Sequence, residues 1–267
     1  NAPLAQGQVL DQPKYEQFKQ GLQALATERG YFDARFAERA IQVDLQTYGA
    51  TVRLHYDTGP RFRFGAITFK QDFLSNKLLN RYPHFKPGDP YSANDLLKLQ
   101  SDLNGSPYFS QIQITAPPDA ATHSAPVEVE LEPNKKRKYS AGAGYGTDTG
   151  ARVKLKAEQR WLNQRGHHAE EELLWSPIKI VLGGKYYIPG QDPTTDTYTL
   201  TAGYTQQNYK QQDYEQFIIG GGLQQQDGKW LKNYSLNYQY EEFSIGDQPK
   251  TDVLLLLPGL NWTWIDA

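Results

Sequence analysis

The strongest constraint on this chain is a change of period. Up to about residue 134, helix-spaced and strand-spaced apolar patterns alternate; beyond it only period-two patterns occur. Such alternation sends successive side chains to opposite faces of a sheet. Eight strands are expected, at roughly 138–147, 151–162, 167–176, 178–188, 196–207, 214–225, 230–243 and 252–265. In the second, Val153, Leu155, Ala157 and Trp161 alternate with Arg152, Lys154, Lys156, Glu158 and Arg160. In the seventh, Tyr234, Leu236, Tyr238 and Tyr240 alternate with Ser235, Asn237, Gln239 and Glu241. Thr147-Asp148-Thr149-Gly150, Gln164-Arg165-Gly166 and Ser176-Pro177 have the composition of short turns, so neighbouring strands pair antiparallel.

Alternation does not say which face is inside. A soluble barrel turns its apolar residues inward, and an outer-membrane barrel turns them to lipid. The mean hydropathy of −0.70 and the lack of an apolar run near 18 residues exclude a helical span. A transmembrane barrel remains open, and three features favour it. Aromatics sit at strand ends, where girdles would lie (Trp161, Trp175, Tyr187, Trp230, Trp262, Trp264). The polar face carries long side chains of both signs, suited to a wet lumen. Gly183-Gly184 and Gly220-Gly221-Gly222 would leave holes in a dry core.

The first half reads as two related α+β units. Tyr15, Phe18, Leu22 and Leu25 form the stripe of an amphipathic helix that Gly30 stops, with strands expected at Ile41–Leu45 and Thr51–Tyr56. After the Gly59-Pro60 turn come a strand at Arg61–Lys70, helices at Phe73–Tyr82 and Ala93–Leu103, and strands at Gln111–Thr115 and Pro126–Leu131. Ser92 is placed to cap the second of these helices. Gly7, Leu10, Tyr15, Phe18 and Leu22 fall opposite Gly88, Tyr91, Leu96, Leu99 and Leu103 at a constant offset of 81, and Tyr31-Phe32 matches Tyr108-Phe109. The second unit is β-α-α-β-β; the first lacks its opening strand and helix. The chain begins Asn1-Ala2-Pro3 and has no Met, so the expectation is a piece of a longer protein.

Little chemistry accompanies this pattern. The 28 basic and 30 acidic residues give a net charge of −2, without the overall basic field expected of a nucleic-acid binder. The absence of Cys removes disulfides, thiolate metal sites and cysteine nucleophiles. No hydrolase elbow, zinc-protease helix or phosphate loop is present. His167-His168 would point to opposite faces of a strand, which is poor metal geometry. Glu170-Glu171-Glu172 reads as countercharge for Arg152, Lys154, Lys156 and Arg160. Lys135-Lys136-Arg137-Lys138 fits either a basic collar against anionic headgroups or a solvated linker. In Tyr139–Gly146, Tyr139, Ala141, Ala143 and Tyr145 alternate with Ser140, Gly142, Gly144 and Gly146, a strand with few cross-strand contacts. The alternative is that these small residues only make room in a lumen.

The two-unit repeat with Gly30-Tyr31-Phe32 and Tyr108-Phe109 resembles tandem POTRA domains. Gly142, Gly144, Tyr145, Thr147, Asp148, Gly150, Arg152 and Val153, followed by Trp161, Asn163 and Gly166-His167, resemble the first barrel hairpin of the POTRA-containing outer-membrane insertases, the TamA subgroup above all. Arg61–Gly65 and Leu257-Pro258-Gly259 share the likeness. The resemblance implies α+β POTRA domains followed by an antiparallel transmembrane β-barrel portion: a partial POTRA over 1–60, a complete one over 61–134, and over 135–267 half of a sixteen-stranded barrel. The subgroup's third POTRA unit, later Arg-Gly-aromatic loop and terminal aromatic are not found. The resemblance further implies a non-enzymatic assembly factor in the Gram-negative outer membrane, without cofactor or metal. Its partners would be outer-membrane lipid, unfolded β-barrel or autotransporter clients, and a TamB-like periplasm-spanning protein, with no nucleic acid. Tyr139, Gly142, Ala143, Gly144, Tyr145 and Gly146 would form a lateral-gate strand, followed by the hairpin motif Thr147, Asp148, Gly150 and Arg152. Gln111, Ile112, Gln113, Ile114 and Thr115 would be a POTRA edge receiving periplasmic segments. Other readings are a BamA-like general assembly core, a two-partner secretion transporter, a passive porin or receptor, and a soluble lipocalin-like module.

Overall fold

Helix α1 spans Gln12–Glu28, with Asp11 accepting from the Lys14 N–H at 3.2 Å as its N-cap and a proline in the first turn. The stripe runs through buried Tyr15 and Ala26, while Leu25, expected inside, is exposed. Gly30 ends the helix at φ +82°, and a Cβ there would lie 2.7 Å from that of Tyr91. That close approach lets Phe32 pack edge-on against Phe62 and Tyr91, at 5.1 and 4.9 Å between rings. Strands β1 (Arg35–Asp44) and β2 (Gly49–Asp57) form an antiparallel pair longer than the pattern suggested. Asp44 closes their turn by accepting from Gln46 N–H at 2.8 Å and Thr47 Oγ1 at 2.7 Å.

The computed structural model describes residues 6–147, 149–210, 212–246 and 248–266. Its contacts divide into two units. One gathers residues up to Lys70, Pro83–Ser101 and Gln113–Glu130; the other gathers Gln71–Tyr82, Asp102–Ile112 and the chain from Leu131 onward.

The middle of the chain runs β3 (Arg63–Lys70), α2 (Asn76–Leu79), α3 (Ala93–Asn104), β4 (Phe109–Thr115) and β5 (Ser124–Pro133). The sheet order is β3-β5-β4, with β3 parallel to β5 and β4 at an edge. On β5, Ala125, Val127, Val129 and Leu131 are buried, while Glu128 and Glu130 both reach Lys70 at 2.9 Å. The helix expected over Phe73–Tyr82 shrinks to four residues. Its cause is Gln71, whose side chain accepts from the N–H groups of Phe73 and Leu74 and donates to Leu74 O at 2.7–2.9 Å. That turn competes with helix until Ser75 caps α2.

All eight strands expected in the second half are present: β6 (Arg137–Gly146), β7 (Gly150–Gln159), β8 (His168–Ser176), β9 (Lys179–Pro189), β10 (Asp196–Tyr209), β11 (Gln212–Asp227), β12 (Trp230–Ile245) and β13 (Thr251–Trp264). Each pairs antiparallel with the next, leaving β6 and β13 as the two edges of one eight-stranded sheet.

Candidate functional site

The register separates two chemically opposite faces. Leu155 stands opposite Ala141 and Leu173, Leu173 opposite Leu182, and Leu182 opposite Tyr204. Tyr204 continues to Phe217, Tyr240 and Leu254. Leu155, Leu182, Phe217, Tyr240 and Leu254 in this row are exposed, as are Leu256 and Leu260 on β13, at 66% and 75%. The other face inverts the soluble rule: Gln239 is 9% exposed, while its neighbours Tyr238 and Tyr240 stand out from the sheet. Apolar side chains point to one face and polar ones to the other, which shelters Gln239 while leaving Lys138 and Lys154 half-exposed. In water this arrangement would be unfavourable, since exposed apolar area costs about 25 cal/mol per Å². In hydrocarbon it is the expected one.

The sheltered face carries a ladder of ion pairs close to β6. Lys154 meets Glu172 at 2.9 Å, Lys156 meets Glu158 and Glu170 at 3.2 and 3.1 Å, and Lys138 meets Glu158 at 3.5 Å. Glu170 and Glu172 are thus the expected countercharges. Glu171 is not, because period two puts it on the apolar face, where it accepts from Gln159 at 3.5 Å. Arg160 also departs from expectation. It donates to Asn134 Oδ1 at 2.7 Å and Lys135 O at 3.0 Å, tying the basic stretch to the end of β7.

Strand β6 combines an edge position with a bare face. Tyr139, Ala141, Ala143 and Tyr145 lie on the apolar side, and both tyrosines are largely exposed. Gly142, Gly144 and Gly146 lie on the polar side opposite Lys154, Arg152 and Gly150. A Cβ on Gly142 would meet nothing within 4 Å, and one on Gly144 only the Arg152 side chain at 3.5 Å. The hairpin continues through Thr147 to Gly150 at φ +72°; Asp148 lies outside the described residues. Gln111, Ile112, Gln113, Ile114 and Thr115 are all in β4, the edge of a different sheet, with the glutamines exposed and the isoleucines half-buried. The gate candidates and this edge are separate features of the chain.

Two expected girdle aromatics have other roles. Trp161 packs on Phe73 at 4.9 Å between rings, and Tyr187 stacks on His168 at 4.6 Å on the sheltered face. Trp175, Trp230, Trp262 and Trp264 are exposed on the apolar side, the last pairing edge-on with Trp230. The histidines diverge as period two requires: His167 Nδ1 lies 2.8 Å from Tyr186 Oη, while His168 turns to Tyr187.

The link between β7 and β8, whose composition suggests a plain turn, is a docking point for residues 71–82 and 102–112. Ser75 N–H donates to Gln164 O at 2.8 Å and Tyr108 Oη donates to Gly166 O at 2.5 Å. Burial pushes the Tyr108 phenol well above its ordinary range, so it stays a proton donor. Gly166 has φ +76°, and a Cβ there would lie 2.5 Å from Leu78 Cδ2 and 2.7 Å from Tyr108 Oη. Arg81 donates to Gly190 O in the β9–β10 loop. Nothing in the local pattern announces these contacts except the glycine.

The architecture is a large antiparallel sheet with an apolar exterior, preceded by α+β elements. No family model matches the chain. The crystal structure of BamA from Haemophilus ducreyi lacking POTRA domains 1–3 superposes with a TM-score of 0.77 at 12% identity, over 99% of this chain and 55% of that one. CdiB from Acinetobacter baumannii follows with a TM-score of 0.54 at 13% identity, over 94% of this chain and 51% of that one. In sequence, the outer membrane protein assembly factor BamA of Neisseria meningitidis serogroup B is 23% identical over 139 residues, which is 49% of this chain. The chain spans 17% of that relative's length and about half of each solved chain. These likenesses show the fold alone: the eight-stranded antiparallel sheet resembles part of the barrel of BamA and CdiB.

Proposed function

We propose that this chain is part of a Gram-negative outer-membrane assembly factor that inserts β-barrel clients by templating strands at β6. The observation that carries the reading is the conjunction on β6, the first strand of the sheet, of a lipid-type exterior face and a glycine-bare interior face. In the complete barrel β6 would meet a closing strand, and where that weakly packed seam opens, its N–H and C=O groups become available for an incoming strand to satisfy through its backbone alone. No covalent bond is made or broken. On this reading residues 1–60 and 61–134 are partial and complete POTRA domains in the periplasm, and 135–267 is the first half of a barrel. The finer assignment to the TamA type, with autotransporter clients and a TamB-like partner, rests on the Gly142–Val153 hairpin motif.

The test uses a photo-crosslinking residue placed singly in the full-length protein in lipid vesicles during client assembly. Positions Tyr139 and Ala143 on β6 should capture client strands, whereas Tyr238 in the interior of the sheet should not. Equal capture at all three, or at none, would remove the templating role. A second reading, export of a partner polypeptide, draws on the likeness to CdiB. It expects capture from the sheltered face, at Ser140 and Gln216, without capture at Ala143.

A further inference from the structure

Four basic side chains from separate parts of the chain converge on one cleft of about 1000 Å³. Lys77 and Arg81 come from α2 and its C-terminal end; Arg165 and His167 come from the β7–β8 turn. Among the described residues, no carboxylate lines the cleft. The local polar groups are already committed: Asn163 Oδ1 accepts from the backbone N–H groups of Arg165 and His167 at 2.9 and 3.3 Å. Asp192, in the β9–β10 loop, turns its Oδ1 to the N–H and hydroxyl of Thr194 at 2.9 and 2.7 Å. Arg81 is anchored by its bond to Gly190 O, yet its Nε–H is buried without an acceptor. A buried, unsatisfied cationic donor at such a cleft is costly unless an anion arrives. Burial and the neighbouring Arg165 charge hold the His167 pKa below its ordinary value, as expected where positive charge is already concentrated.

His167 also connects the cleft to the apolar exterior. Its Nδ1 is 2.8 Å from Tyr186 Oη, and Tyr186 borders a groove of about 350 Å³ on the outer face of the sheet. The small residues Ala169, Gly184 and Ala202 form the groove floor, and Leu200 and Ile219 flank it. Among the described residues, Glu171 is its one outer-face carboxylate, facing the Gln159 amide. A cationic cleft joined through a His–Tyr pair to an apolar groove has the two-part chemistry of an anionic phospholipid.

We propose that this cleft and groove bind one anionic phospholipid, with the phosphate held by Lys77, Arg81 and Arg165 and an acyl chain in the Gly184–Ala202 groove. The inference rests on the reading that the apolar face of the sheet meets lipid. Each basic group near an anionic headgroup contributes about fivefold in affinity.

The experiment counts lipids retained by the full-length protein in neutral detergent, by native mass spectrometry. Dioleoylphosphatidylglycerol should be retained in preference to dioleoylphosphatidylcholine. The double variant Lys77→Glu/Arg165→Glu, at two exposed positions, should lose retention on the order of tenfold or more. The control Lys14→Glu/Lys98→Glu makes the same charge change elsewhere and should retain the lipid. Ala202→Trp, which fills the groove, should weaken phosphatidylglycerol without affecting titration by inorganic phosphate. Phosphate binding that is lost in the double variant, with lipid retention unchanged, would mean a soluble anion site and overturn the proposal. Unchanged retention in both the cleft and groove variants would overturn it as well. A separate variant, Leu256→Cys carrying a thiol-attached fluorophore in a chain whose sequence has no Cys, reports on the underlying reading. Quenching of its fluorescence by brominated lipid while the cleft arm fails removes only this inference; absence of quenching removes the membrane orientation itself.

Discussion

At the scale of single residues, two glycines separate backbone strain from packing. Gly166 and Gly228 both have positive φ, +76° and +58°, but a Cβ at Gly228 meets nothing within 4 Å, whereas at Gly166 it strikes Leu78 and Tyr108. Both alanine variants carry the left-handed penalty, of order 1–3 kcal/mol. Gly166→Ala must also displace the Tyr108 hydroxyl from Gly166 O. It should therefore unfold at lower denaturant than Gly228→Ala in the same vesicles; equal midpoints would show that the turn yields without cost. The sheet faces allow a second comparison. Leu155→Arg puts a cation on the exposed apolar side and should cost about 2–4 kcal/mol at mid-membrane depth. Lys156→Ala, one residue away, removes two partly exposed ion pairs and should cost about 1 kcal/mol or less. Urea titrations of the two variants giving the reverse order would refute the orientation of the sheet.

At the scale of elements, the strands of the second half were legible because short turns and a strict period of two leave one antiparallel solution. Even β8 follows the rule, despite Glu170-Glu171-Glu172, since period two sends Glu170 and Glu172 to lysines and only Glu171 outward. The helix at Phe73–Tyr82 was less legible. Its apolar spacing fits a helix, but the Gln71 side chain supplies hydrogen bonds that a helix would otherwise satisfy. The cationic cleft was not legible at all, because α2 and the β7–β8 turn are brought together only by tertiary structure. For β6 the structure sharpens an expectation. Space above Gly142 and contact distance at Gly144 mean that a Cβ can be added at either position without displacing backbone. Gly142→Val/Gly144→Val should strengthen β6 pairing, by about 0.2–1 kcal/mol per cross-strand pair. If a weakly held β6 is what clients enter, the variant should fold normally yet assemble clients more slowly. Assembly at the wild-type rate, followed by protease protection in vesicles, would leave the glycines as mere space in the interior.

At the scale of the whole molecule, the proposed domain at 61–134 meets a competing demand. Phe64, Leu99, Leu103, Phe109 and Val129 in its core are each at most 7% exposed. Yet Gln71–Tyr82 and Asp102–Ile112 group with the barrel strands, and three contacts explain why: Phe73 on Trp161, Ser75 N–H to Gln164 O, and Tyr108 Oη to Gly166 O. An excised 61–134 fragment loses all three, together with the Arg81–Gly190 and Arg160–Asn134 hydrogen bonds. Burial of five large apolar side chains outweighs these four hydrogen bonds and one ring contact, so the fragment should fold, with mixed α/β circular dichroism at neutral pH. Leu99→Ala within it should cost about 2–5 kcal/mol, the range for a buried leucine truncated to alanine. Hydrogen exchange then distinguishes the two demands. The Ser75 amide should exchange slowly in the full-length protein, where Gln164 O accepts it, and rapidly in the fragment, where that acceptor is gone. The Val127 and Val129 amides, inside the β3-β5-β4 sheet, should stay protected in both. An unfolded fragment would show that the segments held by the β7–β8 turn are needed for folding, and that the domain boundary lies beyond Gly166 rather than at 134.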